Sequence, residues 1–258
     1  MRQKKINGVN IAMLRRESGE VLAQDANRLR LMEAIMICLT PLLLYITLLS
    51  TWQAAIIPML EKWIEPSFLW LGDVAFWLIL VSLTLFFTFP LLSGLLWLAS
   101  RMEAGEETWL PDVFHAFSNG AAYRSALRIS AALLWKVVLF SVVEVGIYSL
   151  FWVLGNGWIP FMILSIPVLI GAAFLLVFWF CGGFLRTYFV MCIQNSAGRM
   201  RPYARSAGFS YWMGFLPWLA LSLLTFCILL LADVLPRMLI AYFRLCRKLD
   251  EMTVQSEE

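Results

Sequence analysis

One acidic side chain stands inside an apolar run, and it is the residue of this chain best suited to intramembrane chemistry. Glu144 directly precedes a stretch, Val145 to Leu185, that contains no Lys, Arg, Asp or Glu. A carboxyl group inside a membrane-spanning helix is costly, so it usually faces a polar partner or a cavity. Helical spacing places Ser141 and Tyr148 on the same face, and Lys136 lies two turns earlier.

Two interpretations of this candidate polar site remain open from the residues alone. Glu144 either forms a buried polar clamp between helices, or it carries protons or a cation along a transport path. A Glu144→Gln exchange separates these interpretations, because the amide still forms hydrogen bonds but cannot release or take up a proton. We expect Glu144 to face the helix bundle in both cases, since lipid tails offer a carboxyl group no hydrogen-bond partner.

The sequence predicts no catalytic set, cofactor site or metal site. The chain has one histidine, His115, and it contains no HExxH, GxSxG or P-loop motif. Its five cysteines form no CxxC pair and are expected to be free thiols. We therefore expect a protein that is not an enzyme, with His115 as a solvated residue at the membrane interface.

Composition predicts the class of protein that must position these groups. Hydrophobic residues make up 61% of the chain and charged residues 14%, and the mean hydropathy is +0.79. A soluble domain is typically about 25% charged. The lipid bilayer is thus the expected surrounding, and the net charge of +3 is too small to suggest nucleic acid as a partner.

The uncharged runs predict an all-α, polytopic transmembrane helical bundle with six membrane helices, or alternatively five. Residues 1–30 are expected to form a cytoplasmic N-terminal segment, residues 31–249 the bundle and residues 250–258 a polar tail. A loop is predicted from Trp52 to Phe68. The spans lie roughly at Leu31–Thr51, Leu69–Leu96, Ile129–Leu154, Ile159–Phe180, Phe209–Leu231 and Val234–Leu249.

The last of these segments has two open interpretations. Asp233 is placed to cap a helix that has Pro236 in its first turn. The sixteen residues of Val234–Leu249 rise about 24 Å, which is short of the roughly 30 Å hydrocarbon core. The segment is therefore either a short sixth crossing or an interfacial helix.

The distribution of positive charge predicts the orientation. Seven Lys and Arg residues precede the first span and one, Lys62, lies in the first loop. Three separate the second and third spans, and four surround the segment before the fifth, including Arg199. Because cytoplasmic loops are enriched in Lys and Arg, we expect both termini in the bacterial cytoplasm, Lys62 outside and Arg199 inside.

The connector after the second span has an amphipathic pattern. Pro111-Asp112 is expected to start a helix with Val113, Phe117 and Ala121 on one face, and with Asp112 and Asn119 toward water. This helix lies either along the inner membrane surface or under the bundle. Such connectors complete the predicted architecture of membrane helices joined by amphipathic cytoplasmic segments.

The same region resembles a known group of proteins. Pro90-x-x-x-Gly94, Arg101, Gly105-Glu106 and Asp112-x-Phe114-x-x-Phe117 are similar to the region after the second span in the YesL-like family and related uncharacterised families of bacterial multi-pass membrane proteins. The end of the chain, with Pro236 and Ala241-Tyr242-Phe243, is similar to their closing helix. The resemblance implies a cytoplasmic-membrane protein of five or six helices. It implies no activity.

Two classes of function fit these observations. The first is a non-enzymatic scaffold or accessory subunit of a transport or envelope system, with a membrane protein as its partner. The alternative is a small transporter or channel-like protein with a polar path near Glu144. Polar side chains along a continuous interior path would favour the alternative, and a dry, packed interior would favour the scaffold.

Overall fold

The computed structural model describes residues 10–24, 26–63, 65, 68–128, 130–131, 201–224 and 229–255, together with positions 135, 138, 142, 143, 146 and 149. Over these residues the regular structure is entirely helical, which confirms the all-α prediction. The helices are α1 (Ile11–Leu22), α2 (Asn27–Thr51), α3 (Ile57–Leu60), α4 (Leu69–Leu83), α5 (Phe89–Glu103), α6 (His115–Ser118), α7 (residues 120–128), α8 (Arg201–Leu224) and α9 (Leu235–Gln255).

The chain divides into two compact units, which we describe separately. We call Gly19–Ser130 with Ile228–Ile240 the hairpin unit, because two long helices dominate it. We call the remainder the terminal unit; it comprises Met1–Ser18, Ala131–Cys227 and Ala241–Glu258.

The first long helix of the hairpin unit runs from Asn27 to Leu60, so the predicted loop beginning at Trp52 is wrong in its first part. A π-helical turn at Trp52–Ile56 joins α2 to α3. No charged residue lies between Ala34 and Leu60, and a continued helix keeps the backbone polar groups of this run paired. The wider turn precedes Pro58, a residue that has no N–H group to give to the preceding turn.

The second long helix comprises α4, a π-helical turn at Thr84–Thr88 and α5. It confirms a helix over the residues of the predicted second span, and this helix continues beyond them to Glu103. Pro90 cannot donate a hydrogen bond to the carbonyl group of Phe86. The hydroxyl group of Tyr123 donates to that carbonyl oxygen instead, at 3.0 Å. This bond connects α7 to the π-helical turn of the long helix.

The two long helices pack antiparallel. The Cys38 thiol lies 3.7 Å from the Leu91 carbonyl oxygen, and the hydroxyl groups of Tyr45 and Thr88 are hydrogen-bonded. Near the far end, Trp52 Nε1 donates to Asp73 Oδ1 at 2.8 Å. The helices therefore form a hairpin that is cross-linked at several levels along its length.

Both long helices have the length and composition needed to cross a membrane, and they are the two helices in the described part of the chain that do. Only 24% of the most apolar window of the first, and 17% of that of the second, is buried. Leucines such as Leu43 and Leu78 are more than 60% exposed. This pair of helices therefore presents an apolar surface much larger than monomeric soluble proteins normally expose.

The connector after α5 differs from its predicted form. A 3₁₀ turn at Leu110–Phe114 leads into the short helix α6, and the helix is interrupted at Asn119. Asn119 Oδ1 then accepts a hydrogen bond from the Ala121 amide at 3.0 Å, as an N-cap does for α7. The prediction of one continuous helical face through Val113, Phe117 and Ala121 is therefore wrong.

The burial pattern of the connector follows from this break. Val113 is fully buried, whereas Phe117 is 39% exposed and packs against Phe87 and Tyr123. Asn119 is exposed, as predicted. Asp112 was expected to face water, but it is half-buried and forms an ion pair with Arg101.

The described terminal unit is a cluster of α1, α8 and the second half of α9. Its aromatic core contains Phe215, Tyr242 and Phe243, each at most 1% exposed. Glu17 pairs with Arg244 at 2.9 Å and with Lys248 at 3.2 Å. Residues 1–30, predicted only as a polar segment, thus contain an amphipathic helix that packs on the C-terminal helix.

Two further contacts join α1 to the middle of α8. The Arg15 guanidinium group lies 4.7 Å from the ring centroid of Trp218. The side chain of Ile11 fits against Gly214, where an added Cβ atom would collide with it. The absence of a side chain at Gly214 therefore permits the two helices to approach closely.

Candidate functional site

The predicted polar site cannot be placed on the structure. Glu144, Ser141, Tyr148 and Lys136 all lie outside the described residues. The polar groups that the structure does bring together lie in the hairpin unit, where the second long helix ends and the first begins.

A sharp turn ends the second long helix. Gly105 has a φ angle of 77°, a conformation that glycine adopts without strain. Its amide donates to the Met102 carbonyl at 3.1 Å, and the Glu106 amide donates to the Arg101 carbonyl at 3.0 Å. This pair of bonds is the Schellman motif, which satisfies the last carbonyl groups of a helix and reverses the chain.

Arg101 holds the loop that follows. Its Nε donates to Glu106 Oε2 at 2.8 Å and its two terminal nitrogens donate to Asp112 Oδ2 and the Glu107 carbonyl, each at 3.0 Å. Asp112 Oδ2 also accepts from the Trp109 amide at 3.0 Å. One guanidinium group therefore defines the path of residues 105–112, as its rigid fork of donors permits.

Gly94 makes this arrangement possible. A Cβ atom at Gly94 would collide with the backbone carbonyl group of Val113. The loop can therefore lie directly on α5 only because residue 94 has no side chain. The residues that carried the family resemblance, Gly94, Arg101, Gly105-Glu106 and Asp112, are brought together here.

The connection between α1 and α2 forms the opposite wall. The Asn27 amide donates to the Gln24 carbonyl at 2.9 Å, and Asn27 Nδ2 donates to the Val21 carbonyl at 3.2 Å. From the first turn of α2, Arg30 donates to the Thr108 carbonyl at 3.0 Å, and its guanidinium group lies 5.6 Å from the ring centroid of Trp109. Arg30 therefore connects the two walls.

Between the walls lies a partly open cavity of about 440 Å³. We call it the interfacial cavity. Its lining is polar except at one side chain and consists of Gln24, Asn27, Arg30, Met102, Gly105, Glu106, Glu107 and Thr108.

The charges of the interfacial cavity are of both signs. Arg30 has no carboxylate partner among the described residues, because its bond is to a backbone carbonyl. Glu106 is neutralised by Arg101, whereas no described residue forms an ion pair with the Glu107 carboxylate. The cavity thus offers one cation and one anion that the described protein leaves unpaired.

Thr108 completes the lining and is 1% exposed. Its Oγ1 atom is buried and has no hydrogen-bond partner. Arg237 Nε is also buried, but it lies 2.8 Å from Asp233 Oδ2 and forms an ion pair with it. A buried hydroxyl group without a partner is unfavourable, so this part of the loop has an unsatisfied polar group.

A second polar cluster lies at the same end of the hairpin unit. Asp233, which is 6% exposed, pairs with Arg28 at 2.8 Å and with Arg237 at 2.8 Å. Asp233 was predicted as a helix cap, and this is wrong because it lies within a π-helical turn at Leu230–Val234. Its carboxylate connects the C-terminal helix to the start of the first long helix.

These arrangements are suited to binding and to holding segments together. The described residues contain no group of three His, Cys, Asp or Glu that could hold a metal ion. His115 is half-buried and stacks on Trp97, with the ring centroids 4.6 Å apart, so it is not the solvated residue that the sequence predicted.

Sequence reasoning missed the cavity because its residues are separated along the chain. The sequence distinguishes Arg30 only as one of seven positive charges before the first span. The signal that pointed to this region was the spacing of Arg101, Gly105-Glu106 and Asp112. These residues carry the family resemblance, which does not indicate what the segment faces.

Comparison with known proteins adds no assignment, since no family model, no curated protein and no solved structure matches this chain. The resemblance to the YesL-like families therefore stays a prediction.

Proposed function

We propose that this chain is a multi-pass protein of the bacterial cytoplasmic membrane that serves as a non-enzymatic scaffold or accessory subunit of a transport or envelope system. The observation that carries the membrane assignment is the low burial of the two long helices, 24% and 17% over their most apolar windows. A helix in the core of a soluble protein buries most of its apolar side chains. Lipid would solvate the exposed ones here.

The dimensions of the hairpin support this proposal. Helices of 34 and 33 residues each measure about 50 Å at 1.5 Å per residue, compared with a hydrocarbon core of about 30 Å. Each helix can therefore cross the bilayer and extend its charged end into the interface. Its π-helical turn and prolines are the features that allow a long membrane helix to bend.

The charge at the two ends of the hairpin supports an orientation. Arg28, Arg30, Arg101 and Arg237 all lie at the end that carries the interfacial cavity. The opposite end carries Lys62 together with Glu61 and Asp73. By the positive-inside rule the arginine-rich end belongs in the cytoplasm.

The ion pairs of the C-terminal helix favour the interfacial alternative for this segment over a sixth crossing. The pairing of Asp233 with Arg28 brings the start of this helix to the cytoplasmic end of the hairpin. Further along, Arg244 and Lys248 pair with Glu17 of the cytoplasmic segment. Each half of this helix therefore pairs with a segment that the sequence predicts to be cytoplasmic.

This assignment changes the proposed number of crossings. Both termini remain cytoplasmic, which requires an even number. The contacts of Ile11 and Arg15 with the middle of α8 favour a cytoplasmic position for that helix as well. We therefore propose four crossings, namely the two long helices and the two predicted spans within residues 129–180, in place of six.

The scaffold assignment is supported by how the charged side chains are used. Arg101, Asp233 and Glu17 each connect two or more segments of the chain. Groups committed to such pairs position the cytoplasmic surface for contact with a partner.

Single-cysteine labelling in a variant without native cysteines tests the topology. Leu229→Cys should be protected from a membrane-impermeant reagent added to intact cells and labelled after permeabilisation, like Arg124→Cys. Lys62→Cys should be labelled from outside. Labelling of Leu229→Cys in intact cells would restore the predicted fifth span, which the six-span and five-span alternatives share, and would contradict four crossings.

The accessory role has its own test in the native membrane. A mild-detergent extract should contain this 29.5 kDa chain in a complex with other membrane proteins, which cross-linking before extraction would preserve. Elution of the cross-linked chain only as a monomer in its micelle would contradict the accessory role, while leaving the membrane assignment intact.

A further inference from the structure

We propose that the interfacial cavity binds the headgroup of a zwitterionic phospholipid that carries a primary ammonium group, with Arg30 holding the phosphate and Glu107 the ammonium. This inference rests on the proposed membrane location. It goes beyond it by assigning a ligand class to a defined site.

The first support is the polar lining of the site. Thr108 and the amide side chains of Gln24 and Asn27 belong to this lining. An amide and a hydroxyl group each serve as donor and acceptor, so they can bond to phosphate oxygens and to ammonium N–H groups alike.

The second support is the pairing of opposite charges. Arg30 projects from the N-terminal turn of α2, where the helix dipole also favours a negative group. Its guanidinium group is placed by Thr108 and Trp109, so it is oriented before a ligand arrives. Glu107 contributes the unpaired negative charge, which would repel an inorganic anion and attract an ammonium group.

The third support is the position of the site along the hairpin. Arg30 lies just before the uncharged run that begins at Ala34, and Arg101 lies just after the apolar part of the second long helix. Trp109 beside the cavity is 59% exposed, and exposed tryptophans are typical of the membrane–water interface. The cavity is therefore at headgroup level, where a phospholipid supplies the zwitterion at high local concentration.

The test uses the full-length protein in detergent micelles, titrated with lipids of identical acyl chains and followed by native mass spectrometry. Phosphatidylethanolamine has both the phosphate and the primary ammonium group. Phosphatidylcholine keeps both charges but has no ammonium N–H donors, and phosphatidylglycerol has no cation. We expect phosphatidylethanolamine to bind about tenfold more tightly than either, the effect of one lost charge-assisted hydrogen bond.

Two variants assign the contacts. Glu107→Gln should abolish the preference for phosphatidylethanolamine over phosphatidylcholine, and Arg30→Gln should weaken the binding of all three lipids about tenfold. Glu61→Gln at the opposite end of the hairpin is the matched control and should bind like the unmodified protein. If Arg30→Gln does not fold, the exposed Glu107 still decides the proposal.

Equal binding of the three lipids, or the same preference in Glu107→Gln and Glu61→Gln, would overturn the proposal. So would binding of free phosphoethanolamine as tightly as the lipid, since the ligand would then be a soluble zwitterion. Retention in the membrane after alkaline carbonate extraction is measured in parallel. Loss of retention contradicts the proposed membrane location, whereas retention without lipid preference contradicts only the lipid site.

Discussion

The two ends of the long-helix hairpin are held together in very different ways. At the arginine-rich end, Arg101 alone makes three hydrogen bonds to the loop, and Asp233 pairs with two arginines. At the opposite end, the contacts include one exposed hydrogen bond from Trp52 to Asp73 and the stacking of Trp52 on Phe76, with ring centroids 4.7 Å apart.

In the proposed membrane location, this difference shows where the hairpin obtains its unique structure. Its apolar middle packs through contacts that have little directional preference, because lipid tails are as apolar as the side chains. Directional bonds form at the ends, where the chain leaves the hydrocarbon. The arginine-rich end also forms the interfacial cavity, and a site of this kind requires loops of defined shape.

The largest effect is expected from crowding the arginine-rich end. Gly94→Ala places a Cβ atom against the Val113 backbone carbonyl, which cannot move without displacing the loop. Overpacking of this kind should destabilise the protein by about 3 kcal/mol. The measurement is the midpoint of thermal unfolding in detergent.

Gly120→Ala is the matched control for this exchange, because an added Cβ atom there meets nothing within 4 Å. Equal unfolding midpoints for the two variants would show that the loop does not lie on α5.

An intermediate effect is expected from replacing the guanidinium group. Arg101→Lys keeps the charge, but a single ammonium group cannot reach Glu106, Asp112 and the Glu107 carbonyl together. Because the site is partly exposed, we expect a loss of about 2 kcal/mol and faster proteolysis of the loop between residues 105 and 112.

Arg124→Lys provides the comparison, since Arg124 is exposed and its Nε donates a hydrogen bond to the Gly120 carbonyl of the same helix. If both exchanges left the loop equally resistant to protease, Arg101 would not be the residue that orders it.

The smallest effect is expected at the opposite end. Trp52→Phe removes the hydrogen bond to Asp73 and keeps an aromatic ring against Phe76. An exposed bond contributes little, so the loss should stay below about 1 kcal/mol. A loss as large as that of Arg101→Lys would remove the proposed contrast between the two ends.

The sequence by itself determined the helical class and the presence of two apolar helices, although not how far the first of them extends. Their apolar runs, such as the one from Ala34 to Leu60, are local properties of the chain, and helix formation responds to local composition and period. The asymmetry of positive charge is also readable without a structure.

Only the tertiary structure decided which distant groups meet. The pairing of Asp233 with Arg28, and the position of Arg30 over Trp109, join residues far apart in the chain. The helix break at Asn119 and the continuation through Trp52 depended on similar competition, between a side-chain cap and a backbone bond in one case and between a loop and a bulged helix in the other. The interfacial cavity arises only when two chain reversals are placed side by side, because its charges and its unpaired hydroxyl group come from two separate segments.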